Sequence, residues 1–120
     1  MYKQIARFLT QKSHFSSEKK IVKPTAFMPN KNGETSAFGI DELTNDEIIG
    51  LGREYIKTQS GSPPKGRAEL LTDKVLKTEL KIDFNNVPPR HLNIIGWPEQ
   101  KHNQKLKAII LASYSTLQLH

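Results

Sequence analysis

Four clusters of proline, glycine and asparagine cut this chain into short pieces, and that punctuation constrains the fold more than any other feature. The clusters are Pro29–Gly33, Ser60–Gly66, Asn85–Pro89 and Gly96–Pro98. Proline removes a backbone donor, and glycine and asparagine accept positive φ, so each cluster reads as a turn or loop. The pieces between them suit short strands and helices of a few turns. The longest apolar run, Ala108 to Ala112, is five residues, far below the ~18 of a membrane span.

The helix beginning near Thr44 is the best-defined element. Thr44-Asn45-Asp46-Glu47 forms a capping box, in which the threonine hydroxyl and the glutamate carboxylate each satisfy a free backbone N–H. Leu43 and Ile48 flank it as a hydrophobic staple, and Ile48, Leu51 and Tyr55 continue the apolar stripe. Gly50 and Gly52 each weaken such a helix by roughly 1 kcal/mol relative to alanine, which suggests close packing against another backbone. A second helix is expected from Glu99 to about Thr116, with Pro98 in its first turn, where a missing N–H does no harm.

The strands are read from composition and alternation. Lys20 to Met28 carries Ile21, Val22, Thr25, Ala26 and Phe27, with Pro24 marking an edge or bulge. The Pro29–Gly33 turn then leads to Thr35–Ile40, and the pair reads as a hairpin. Arg67–Leu71 suits a short strand and Thr72–Lys77 a short helix. Leu80–Phe84 alternates cleanly, and Leu92–Ile95 is a further strand. Ile5, Phe8 and Leu9 have helical spacing. The fold class is α+β: an antiparallel or mixed sheet of about four to five strands against two amphipathic helices. Residues 1–120 form one domain with a basic N-terminal segment, 1–33.

Composition narrows the chemistry. Without cysteine there is no disulfide, thiolate metal site or cysteine nucleophile. The absence of cysteine and of an apolar leader in the first fifteen residues fits the cytoplasm. His14, His91, His102 and His120 have no metal-binding spacing, and no phosphate loop is present, so no metal or cofactor is implied.

The net charge of +6 is unevenly placed. Residues 1–33 hold Lys3, Arg7, Lys12, Lys19, Lys20, Lys23 and Lys31 against Glu18 alone; the remainder holds eleven basic and eleven acidic residues. A basic head of this kind steers an anionic partner, unless the acidic stretch Glu34–Glu54 neutralises it on folding.

Two polar groups stand out. Arg90, His91 and Asn93 lie in the rigid run from Pro88 to Pro98, and alternation puts His91 and Asn93 on one strand face. Arg7, His14, Thr35 and Ser36 form the second group. The leading expectation is a non-catalytic binding or accessory protein, such as an antitoxin, immunity or defence accessory. It would engage a larger protein partner through Arg7, Lys12, Lys19, Lys20, Lys23, Phe27, Arg90, His91 and Trp97. One alternative is a small phosphate-handling enzyme, with His91 as acid or base, Arg90 and Arg7 steadying negative charge, and Ser36 nearby. That reading requires His91 and Arg7 to converge. A third is non-specific nucleic-acid binding by residues 1–33, with Phe8, Phe15 and Phe27 available to stack on bases. An exposed Ile109-Ile110 stripe would also suit a homo-oligomer.

Overall fold

The structure is a computed structural model and describes residues 1–120. Eleven regular elements follow one another. Strand β1 (Gln4–Leu9) leads through a 3-10 turn to the two-residue strands β2 (Phe15–Ser16) and β3 (Ile21–Val22). A second 3-10 turn, Pro24–Phe27, precedes β4 (Thr35–Gly39) and helix α1 (Asn45–Tyr55). Then come β5 (Gly66–Leu71), helix α2 (Thr72–Lys77), β6 (Lys81–Asp83), β7 (His91–Ile95), helix α3 (Lys101–Tyr114) and β8 (Thr116–Leu119).

The fold is α+β. Six strands form one antiparallel sheet in the order β6-β7-β4-β1-β5-β8, and β2 pairs with β3 as a separate ribbon. The strand count therefore exceeds the four to five expected. Two strands were hidden from the periodicity. Gln4–Leu9 is the central strand, not a helix: Ile5 and Leu9 enter one core while Ala6 and Phe8 enter the other. The closing helix stops at Tyr114, and Thr116–Leu119 adds an edge strand beside β5.

The expected hairpin does not form. Ile21–Val22 pairs with Phe15–Ser16, and Pro24 opens a 3-10 turn that buries Ala26 and Phe27. Strand β4 pairs instead with β1 and β7. Helices also lie on both faces of the sheet. One face packs against α2, α3 and the Pro24–Phe27 turn around Ile5, Phe27, Leu92, Ile94 and Leu111. The other carries a smaller cluster of Ala6, Phe8, Phe38, Ile40 and Ile48, covered by α1.

The start of α1 matches the sequence closely. Thr44 Oγ1 accepts the Glu47 N–H at 3.2 Å, and the Glu47 carboxylate accepts the Thr44 N–H at 2.9 Å. Of the two glycines, only Gly52 is tightly packed: a Cβ there would lie 2.6 Å from the Phe8 ring, whereas one on Gly50 meets nothing.

No helix is long and apolar enough to cross a membrane.

Candidate functional site

Strands β1 and β4 are paired only at Ile5↔Gly39 and Ala6↔Phe38. Beyond that point they part. Strand β1 stays with β5 along its length, while β4 follows β7. The Arg7 side chain fills the gap: Nε donates to the Ala26 carbonyl and Nη1 to the Ser36 carbonyl, both at 2.9 Å. Arg7 has no acidic partner, since the one ion pair in the molecule is Arg67–Glu69. Burial lowers its pKa to about 10, so it remains charged at neutral pH.

A cleft of about 380 Å³ opens beside it, lined among others by Arg7, Thr10, His14, Thr25, Glu34 and Ser36. His14 is 6 % exposed. Its Nδ1 accepts the Thr10 N–H at 3.2 Å, which places the proton of the neutral ring on Nε2. Burial, and then the Arg7 charge, push its pKa down to about 4. No buried polar side-chain atom in the chain lacks a partner. Arg7 Nη2 and His14 Nε2 have none within the protein, so both reach solvent. The cleft thus presents hydrogen-bond donors, the Arg7 cation and the Glu34 carboxylate.

At the edge of the cleft a second chain of contacts begins. Ser36 Oγ lies 2.7 Å from His91 Nε2, and His91 Nδ1 lies 2.8 Å from Asn85 Oδ1. The protons in this chain follow from chemistry. Asn85 Oδ1 also accepts the Val87 N–H at 3.3 Å, so it is the amide oxygen. His91 Nδ1 must then donate, Nε2 carries the lone pair, and Ser36 Oγ–H donates to it. Burial lowers the His91 pKa, with Glu34 and Asp83 opposing the shift. The ring packs edge-on against Phe38 at 5.3 Å, and Phe38 stacks on Tyr55. Asn93 faces Ser36 directly across the β4–β7 ladder, as alternation predicts, and its side-chain amide has no partner in the protein.

Arg7, His14 and Ser36 border one cleft. His91 meets only the Ser36 hydroxyl, which alternation places on the sheet face opposite Arg7, so Arg7 and His91 do not share a pocket. Arg90 joins neither. Its guanidinium donates to the Gly39 and Asp41 carbonyls and lies over the Tyr2 ring, tying β4 to the entry of β7. Trp97 donates to the Ile94 carbonyl and packs on the core. Phe27 is fully buried and Phe8 nearly so, which removes both as stacking surfaces. The lysines divide. Lys12 and Lys23 surround a separate hollow with Phe15 and Lys65, Lys20 lines a groove with Ile21 and Ile109, and Lys19 is exposed elsewhere. No ion pair joins this basic head to the Glu34–Glu54 stretch.

Asn85 is the member sequence reasoning missed, because an Asn-Asn-Val-Pro-Pro run reads as a chain break. The signal lay in the register: extending the Asp83↔Asn93 pairing by two residues brings Asn85 opposite His91.

The fold and site define an antiparallel α+β protein with a donor-lined cleft at a split in its sheet. No family model, no curated protein and no solved structure matches the chain.

Proposed function

We propose that the protein is a binding module for a ligand bearing a phosphate or carboxylate group, held in the cleft between β1 and β4. The observation that carries this reading is the Arg7 guanidinium: it is fixed by two carbonyls, has no ion-pair partner, and lines the cleft. A cation in such surroundings binds an anion more strongly than one in open water, because little solvent screens it. The neutral His14 adds a second donor. Glu34 also lines the cleft, which favours a ligand with a hydroxyl or amino donor beside its anion.

Titration with inorganic phosphate, followed by amide and imidazole chemical shifts, tests this. Binding is expected to perturb Thr10, His14 and Ser36 together and to raise the His14 pKa from about 4, because a nearby anion favours the imidazolium. Arg7→Lys, with its fold checked by circular dichroism, is expected to weaken binding roughly tenfold, since lysine cannot keep both carbonyl contacts and still present a donor. Shifts confined to the exposed lysines would refute the reading.

One observation favours chemistry over binding alone. The Ser36–His91–Asn85 chain places a neutral imidazole on a hydroxyl at hydrogen-bond distance, the arrangement needed for general-base activation.

A further inference from the structure

We infer that Ser36 is a nucleophile, activated by His91 and positioned through Asn85, that takes the acyl group of a carboxylic ester. Two distances and one neighbour support this. Ser36 Oγ–H points its proton at the His91 Nε2 lone pair at 2.7 Å, within the range required of a working base. The Asn85 oxygen, 2.8 Å from Nδ1, holds the ring in the one tautomer that leaves Nε2 free. This is the ordering role of the third member in nucleophile triads, which an asparagine fills in the cysteine–histidine–asparagine form. Asn93, the cross-strand partner of Ser36, carries a side-chain amide on the same sheet face as the reacting hydroxyl.

The step balances without any further reagent. Ser36 Oγ forms a bond to the ester carbonyl carbon as its proton passes to His91 Nε2. The oxyanion that develops is held by the Asn93 side-chain amide. The bond from carbon to the leaving oxygen then breaks, and the proton on Nε2 goes to that oxygen, releasing the alcohol and leaving acyl-Ser36. Water attacks the acyl carbon with its proton taken by the same nitrogen. Ser36 leaves with that proton, and a carboxylic acid departs.

The test uses the full chain and two probes, p-nitrophenyl acetate and its monosuccinyl counterpart. With either, p-nitrophenol release is expected, and intact mass followed by peptide mapping should place a single acyl group on Ser36. Ser36→Ala should abolish the adduct. His91→Gln should slow its formation by roughly 10² or more, and Asn93→Ala by roughly 10². Asn85→Ala is expected to lower the rate while changing its pH profile, since the ring is then free to adopt the other tautomer. The rate should fall as His91 is protonated on acidification. Wild-type protein that forms no adduct, or an adduct that survives Ser36→Ala in a folded variant, would overturn the inference.

Discussion

The two faces of the sheet are built on opposite plans. The face toward α2 and α3 is closed by fifteen buried apolar residues, with Arg7 as the charged side chain at its margin. The face toward α1 has five, because one helix cannot span six strands. The rest of this face is polar: Ser36, His91 and the buried Asn93 to one side, and the Arg67–Glu69 pair, tied to Asn45 of α1 and to His120, on the other. Burial on the first face supplies stability, and incomplete burial on the second leaves room for chemistry. Truncation across the two faces should separate these roles. Phe27→Ala or Leu111→Ala is expected to cost about 3–5 kcal/mol, from lost transfer energy and the cavity left behind. Ser36→Ala removes one partly exposed hydrogen bond and should cost about 0.5–1.5 kcal/mol. Urea midpoints at constant m-value would measure both. Equal losses would mean that the α1 face is a structural core after all.

A second expected effect is pH-dependent, and it tests what the polar regions withhold from stability. His14 is buried with its pKa lowered to about 4, against about 6.5 in an unfolded chain. Between those values the unfolded chain binds a proton that the native one does not. Stability is therefore complete above the unfolded value and falls as the pH drops toward 4. His14 alone should remove about 2 kcal/mol between pH 7 and pH 5. His91 and His120, also shifted downward, act in the same direction. Asp41 and Glu47 are shifted downward too, by backbone N–H donors from Lys3 and Thr44. Their contribution is present above the ordinary carboxylate range and is lost below it, so it does not enter this window. Urea midpoints at pH 7 and pH 5 measure the loss, and His14→Gln should make the dependence visibly shallower.

The contrast between faces also explains what the sequence made legible. Strands β6 and β7 and the α1 cap were readable because one side of each is polar: Leu80–Phe84 alternates, and His91 and Asn93 stand opposite Leu92 and Ile94. The central strand was not. Ile5, Ala6, Phe8 and Leu9 are buried on both sides, so no alternation remains, and their spacing mimics a helix face. The hairpin expectation failed for a related reason. Strand β4 finds its partners at residues 5–6 and 91–94, pairings that no local turn announces. Of the site, Arg7, His14 and Ser36 could be grouped and His91 and Asn93 placed on one face. That the two groups share Ser36 required the parting of β1 from β4, which is a property of the assembled sheet.

The smallest expected effect probes how the thin face is held. Gly50 and Gly52 sit two residues apart in α1 and carry the same intrinsic penalty, so alanine at either should gain up to about 1 kcal/mol from helix propensity alone. Their surroundings differ. The space where a Cβ would stand on Gly50 is open, and Gly50→Ala should show that gain. At Gly52 the new methyl meets Phe8 at 2.6 and 2.8 Å, and Phe8 is wedged edge-on against Phe38 and His120. The ring can yield only by disturbing Phe38, which packs against His91. Gly52→Ala is thus expected to lose about 1–3 kcal/mol through overpacking. It should also shift the His91 imidazole resonances, while Gly50→Ala leaves them in place. If both variants gained stability with His91 unmoved, α1 would rest loosely on the sheet, and the rings around His91 would not be what orients it.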